Sequence, residues 1–300
     1  MRIQITLTSQ AGKRVIARGI KGHPLVRKAR NGGRILLKGG TTVSAVSEEL
    51  CGRPMKISGM ITPRGTLTSR FKHEIDLPHA LLLENGRIVP LDSAEDWERE
   101  SPRLTPDDLV ITGANAFDAH GHAAIMAGTY AGGSSLPFFQ PLHAEGVPFL
   151  VAAGLEKLVP GNLLELIPSA GRKKVDYAYG MAVGLVPIFG EIFTEVEALE
   201  SLGGVKALVI GKGGIHGAEG SSTLLIDGPR NEVLKIEAVY REVKGAALSG
   251  HPRNLIPCNT GSRTCGNHIR CLYKKGLQQI PHSNPAKRGR NSKKNSEYKW

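Results

Sequence analysis

The sequence predicts an α/β protein: a Rossmann-like, mostly parallel sheet followed by a second, smaller α+β module of ferredoxin-like order. Three observations predict it. Apolar runs at 34–38, 108–113 and 147–153 are short enough for buried strands, and each leads into a glycine-containing loop. Helical patterns alternate with them, the order that builds a parallel sheet covered on both faces. After residue 170 the pattern changes to strand, helix, strand, strand, helix, as in a split βαβ unit.

Taken in order, residues 1–31 read as a short strand pair followed by a basic segment, Arg27-Lys28-Ala29-Arg30, with turn chemistry at Asn31-Gly32-Gly33. The run 34–38 is the first buried strand. Gly39-Gly40 follows it, and a helix then starts with Thr41 or Thr42 as N-cap. Val43, Val46 and Leu50 fall on one face of that helix, and Gly52 and Pro54 stop it. A strand at 56–61 and a Pro63-Arg64-Gly65-Thr66 turn come next. Residues 80–83 and 88–91 flank Asn85-Gly86, a pair suited to a tight primed hairpin turn. An acidic helical turn lies within 93–106. Residues 119–133 are rich in Gly and Ala, which lets backbone approach a ligand closely. The second module reads as strands at 177–187, 205–211 and 223–227 with helices at 193–202 and 231–243. The expected divisions are 1–170, 171–250 and a cysteine-containing basic tail, 251–300.

At 300 residues and 40% hydrophobic, the chain is long and apolar enough for a full core. No run approaches the roughly 18 apolar residues of a membrane span, so no membrane partner is expected. The first residues alternate like a strand and lack a secretory apolar region, so a cytoplasmic location is expected. The net charge of +12 is unevenly spread. Residues 251–300 hold eleven Lys/Arg against one acid, Glu297, which leaves only +2 for the first 250. A basic tail is usually a solvated segment. It also offers contacts to a phosphate backbone, with Tyr298 and Trp300 available to stack on bases.

In open parallel sheets, ligands bind beyond the carboxyl ends of the strands. Two loops leave such ends. Lys38-Gly39-Gly40-Thr41-Thr42 precedes a helix, whose first N–H groups and positive dipole end favour phosphate or carboxylate. It has neither Walker nor dinucleotide-fingerprint spacing. Thr112-Gly113-Ala114-Asn115 and the later Gly128-Thr129-Tyr130 form the second. The ligand-binding candidates are therefore Lys38, Gly39, Gly40, Thr41, Thr42, Thr112, Gly113, Asn115 and Gly128. Asp118, Glu156 and Lys157 are the candidate catalytic groups. Each also has a plainer role, Asp118 as a turn residue and Glu156-Lys157 as a surface ion pair. His120, His122 and His143 near the same mouth are further candidates for proton transfer or metal binding.

The strand–GGTTV–helix segment resembles the GSGTTV or GTGSTV loop of the ribose-5-phosphate isomerase, glucosamine-6-phosphate deaminase and CoA-transferase superfamily, where it commonly grips a phosphate or related group. The segment from Ile111 to Tyr130 resembles the DGADEVD…KGGGG segment of ribose-5-phosphate isomerases. It resembles still more the GAD…NG…KIGTY segment of methylthioribose-1-phosphate isomerases and related translation-initiation exchange factors. The ITGAD loop of lactate-utilisation proteins is similar too. Together these cover residues 32–160. The resemblance implies a Rossmann-like site for a phosphorylated or carboxylated metabolite, and a CoA-transferase-like glutamate role for Glu156. It departs where the isomerases carry an acid and this chain has Asn115, for an amide cannot act as general base at neutral pH. Thr112 and Met126 likewise stand where ribose-5-phosphate isomerases have an acid and a lysine.

Of four cysteines, Cys51 stands alone and reads as a core residue. Cys258, Cys265 and Cys271, with His268, supply three thiolates and an imidazole. That set suits a tetrahedral zinc site, or three corners of an iron–sulfur cluster. Reduced thiols on a loop are the alternative.

The expected function is binding, with or without conversion, of an anionic metabolite at the two loops, by a chain that can form a homo-oligomer. The alternatives are a non-catalytic sensor or regulatory subunit of the same fold, and a nucleic-acid-associated protein acting through the tail.

Overall fold

The computed structural model describes residues 1–70, 77–259 and 263–274. Its largest sheet is mixed and six-stranded, in the order β12 (Glu191–Phe193), β10 (Phe149–Ala152), β7 (Leu109–Gly113), β2 (Arg34–Lys38), β5 (Ala80–Glu84), β6 (Arg87–Leu91). The first four run parallel, and β5 and β6 form an antiparallel hairpin at one edge. The apolar side chains of β2, β7 and β10 are almost wholly buried, as strands covered on both faces require. Asn85 and Gly86 both take positive φ, 48° and 76°, the primed-turn conformation their sequence favours.

A three-stranded antiparallel sheet runs β1 (Arg2–Leu7), β14 (Ser221–Asp227), β13 (Lys206–Gly213). Helices α1 (Ser9–Lys21), α7 (Glu195–Gly203) and α8 (Arg230–Val243) pack on it and on one another. The expected split βαβ order is thus only partly realised. Its first strand does not join β13 and β14. Part of that segment, β11 (Gly184–Ile188), pairs instead with β9 (Ala123–Ala127), which also pairs with β8 (Ala116–Phe117), in a third sheet. β12 joins the main sheet, and the N-terminal strand β1 completes the small one. Strands therefore cross the expected division at residue 170 in both directions.

Residues 9–21 are also a helix, where a second strand was expected. Gly12 and Gly19 weaken the helical signal of this stretch. Their purpose is tertiary. A Cβ on Gly19 would stand 2.8 Å from the Cα of Ala198, and one on Gly12 would collide with Glu195 Oε1. The glycines let α1 approach α7 closely.

The remaining elements serve the site. β3 (Gly59–Thr62) and β4 (Gly65–Thr68) form a separate hairpin, and α3 (Thr41–Cys51) follows β2. Helix α2 (Pro24–Arg30) packs on β2 and β7. α4 (Ala94–Glu100) is opened by a reciprocal Ser93–Asp96 cap, and α5 (Phe139–Ala144) and α6 (Leu163–Ser169) complete the set.

Candidate functional site

Register decides which loops meet. Lys38 at the end of β2 lies opposite Thr112 of β7, and Gly113 lies opposite Ala152 of β10. The three strands therefore end at one level, and their following loops emerge together. They open into a cavity of about 600 Å³, within the roughly 300–1,000 Å³ usual for small-molecule sites.

Lys38, Gly39, Gly40, Thr41 and Thr42 line it from β2, Gly113 and Asn115 from β7, and Lys157 from beyond β10. Gly128 lines it from the far side. A Cβ on Gly39 would stand 2.5 Å from the carbonyl oxygen of His79, which accepts the Gly39 N–H at 2.8 Å. Glycine is thus required for β2 to hand the chain to α3 beside that carbonyl. Gly40, not a threonine, is the N-cap of α3, and no side chain caps the helix. The N–H groups of the first turn are left for another acceptor.

Lys38 is buried in the cavity wall, and burial alone pushes its ammonium down to about 8. Lys157 is lowered too, by burial, with Lys13 adding and Glu156 opposing. Lys56 also lines the wall. Among the described residues, the lining holds one carboxylate against these three lysines, Asp92, whose Oδ1 accepts the His79 backbone N–H at 3.0 Å. The described lining therefore carries an excess of positive charge. Asn115 Oδ1 accepts the Met126 N–H at 3.0 Å, which leaves its amide NH₂ to donate to a ligand.

Several expected site residues lie elsewhere. Thr112 is wholly buried in the sheet, and its hydroxyl donates to the Gly113 carbonyl at 3.3 Å. Asp118, expected as a catalytic carboxylate, is a buried structural one. It accepts N–H groups of His120, His122 and Leu163, and the His122 ring at 2.9 Å. These bonds outweigh its burial and hold its carboxyl well below the usual range, so it is no proton acceptor at neutral pH. Glu156 does not line the cavity either, and it is not on the surface. Its Oε1 lies 3.2 Å from Lys13 Nζ on α1. Nearby, Glu195 is pushed up to about 7 by burial and by the Glu156 charge. His143 stacks on Phe149 at 4.0 Å between ring centroids, away from His120 and His122 in role.

The sequence did not single out Lys56, Ser58, His79, Asp92, Ser134 or Ser135, which also line the cavity, while Gly132 and Gly133, in the Gly/Ala-rich stretch it marked, do line it. Those not singled out come from the segment leading into the β3–β4 hairpin, the segments flanking the β5–β6 hairpin and a loop. Only the polar residues just outside those strands hinted at them.

Cys258, Cys265, His268 and Cys271 surround a second, small cavity of about 20 Å³. Burial pushes the Cys258 thiol up, and the neighbouring Cys265 and Cys271 add to this. Among the described residues, no three His, Cys, Asp or Glu side chains stand in a ligating arrangement. Cys51, expected in the core, is half-buried at its edge, and its thiol donates to the Ser47 carbonyl at 3.1 Å. The tail from 275 onward, with its nucleic-acid reading, lies outside the described residues. Among the described residues no helix is long and apolar enough to cross a membrane. No family model, curated protein or solved structure matches the chain.

Proposed function

We propose that the chain binds a phosphorylated or carboxylated small metabolite in the cavity beyond β2, β7 and β10, and that the Lys38–Thr42 loop holds the anionic group. One observation carries this reading. Lys38 is buried beside a glycine-rich helix start, and no carboxylate among the described residues offsets its charge. A buried ammonium costs several kcal/mol unless something anionic meets it. The first-turn N–H groups of α3 and the hydroxyls of Thr41 and Thr42 supply the directional donors such a group needs. The likeness of the loop to the phosphate-gripping loop of the isomerase, deaminase and CoA-transferase superfamily supports it, as does a Rossmann-like reading of the four parallel strands.

A non-catalytic role for the same cavity is favoured by a specific feature. Asn115 stands where the resembled isomerases carry their base, and Asp92 is engaged by His79. We therefore read the site as binding first, with sensing as its simplest use.

A ligand screen tests both. Sugar phosphates, CoA esters and nucleotides are added to the protein, and melting temperature is followed, since a ligand that binds only the native state raises it. A shift given by an anionic compound, absent with its neutral analogue and lost in Lys38→Met, is expected. Equal shifts from the neutral analogue and in Lys38→Met would refute the anion loop. Incubation of any ligand found, followed by NMR, separates binding from turnover.

A further inference from the structure

We propose that Cys258, Cys265, His268 and Cys271 bind one zinc ion, which clasps the segments around Cys258 and Cys265–Cys271 to the β3–β4 hairpin.

The backbone gathers the four donors from an otherwise spread-out stretch of chain. The Cys258 N–H donates to the Thr68 carbonyl of β4 at 2.8 Å, and Ser69 pairs with Pro257. Cys271 is carried by a bridge to Ala178, flanked by the bonds Ala178 N–H to Arg270 and Leu272 N–H to Ala178. The His268 N–H donates to the Cys265 carbonyl at 3.3 Å. All four line one cavity.

That segment has little else to hold it. Among the described residues no buried apolar side chain lies after Val243; the buried groups there are Ser249, Asn254 and His268. The described residues of 256–259 and 265–274 thus place no fully buried apolar side chain in a core, and backbone bonds and polar contacts hold them. Tyr273 donates to the Arg64 carbonyl at 2.9 Å, and the Arg64 guanidinium sits 4.6 Å from the Tyr273 ring centre. Small elements without an apolar core are commonly stabilised by a metal, whose binding energy is folding energy.

The chemistry selects zinc. Three thiols and an imidazole are a structural zinc set. The cavity of about 20 Å³ takes one atom-sized occupant, since a single water needs roughly 10–15 Å³ by the same measure. A cubane cluster with its bridging sulfides does not fit there. On binding, the three thiols release their protons to solvent, and Zn²⁺ with three thiolates and a neutral imidazole carries a charge of −1. Lys274 on the cavity wall opposes that charge. The donors line one cavity but do not yet stand in a ligating arrangement, so binding draws them inward.

The position has a consequence that rests on the ligand reading above. Thr68, Met181 and His268 line both this cavity and the large one. The metal would brace one wall of the ligand site.

The full chain, produced with zinc in the medium, is assayed for metal by mass spectrometry and then, after chelation, titrated with Co²⁺. One zinc per chain and a tetrahedral thiolate–Co²⁺ spectrum are expected. Cys258→Ser, Cys265→Ser and Cys271→Ser each lose at least the ~10–100-fold in affinity that even an outer-shell change costs. Cys51→Ser retains the metal in full. A wild-type chain with neither bound zinc nor a Co²⁺ spectrum overturns the proposal. So does iron with acid-labile sulfide, or a Co²⁺ spectrum unchanged in all three variants. The metal assay is independent of any metabolite, so failure of the ligand reading leaves it standing.

Discussion

Replacing Lys38 by methionine separates binding from stability, because the two should move in opposite directions. Burial lowers the Lys38 ammonium from 10.5 to about 8. At about 1.4 kcal/mol for each pH unit, this represents roughly 3 kcal/mol by which the folded state disfavours the charge. Between pH 8 and 10.5 the unfolded chain holds the proton more tightly than the folded one. The contribution of Lys38 to stability therefore rises across that window and is least favourable below pH 8. Methionine fills similar space without the charge. Lys38→Met should be more stable than the wild type at pH 7 by up to about 3 kcal/mol, or roughly 5 °C in melting temperature for a chain of this size. The advantage should fade toward zero by pH 10.5. Urea denaturation of both proteins at pH 7, 8.5 and 10 measures the difference, in buffers free of phosphate. In the same variant the melting shift given by an anionic ligand should vanish. A Lys38→Met protein less stable than wild type at pH 7, or a difference independent of pH, would mean that the charge is already compensated, and the case for an anion there would fall.

Three further outcomes follow from the same structure. Glu195 is raised from 4.5 to about 7, so the folded state holds its proton more tightly and stability falls as pH rises between those values. Glu195→Gln should flatten that slope and stabilise by about 3 kcal/mol above pH 7, read by thermal melts from pH 5 to 8; an unchanged slope argues against a protonated Glu195. Asp118→Asn should cost about 3 kcal/mol in denaturant titrations, because the amide cannot accept all four hydrogen bonds, while ligand affinity stays unchanged. Loss of ligand binding in a folded Asp118→Asn protein would restore it to the site. Gly19→Ala should destabilise by about 1–3 kcal/mol through the α1–α7 contact, though alanine favours helix; stabilisation would show that the helices can separate freely.

Much of the main sheet is legible in the chain. The runs at β2, β7 and β10 are apolar on both faces, and only a strand buried on both sides has use for that pattern. Asn85-Gly86 specifies its hairpin through local φ preference alone. The loops after β2 and β7 are marked by glycines whose need is local, and their meeting follows from where the strands end. The residues lost to sequence reasoning are those whose role depends on a distant partner. Gly12 and Gly19 obscure a helix because Glu195 and Ala198 approach them. His79, Asp92 and Lys56 reach the cavity only once their hairpins are placed.

What the sequence by itself determined is the buried strands β2, β7 and β10, the β5–β6 hairpin, the two glycine loops beside Lys38 and Asn115, and the grouping of three cysteines with a histidine. These arise from short-range period, turn chemistry and ligand type, which a chain carries without folding. The tertiary structure decided that β1, over two hundred residues away, completes the sheet of β13 and β14. It also turned Asp118 and Glu156 away from the cavity and buried Lys38 in its wall. Partner choice and burial are properties of the assembled chain: a lysine that is fully charged in water has its ammonium lowered to about 8 only when the fold removes its hydration.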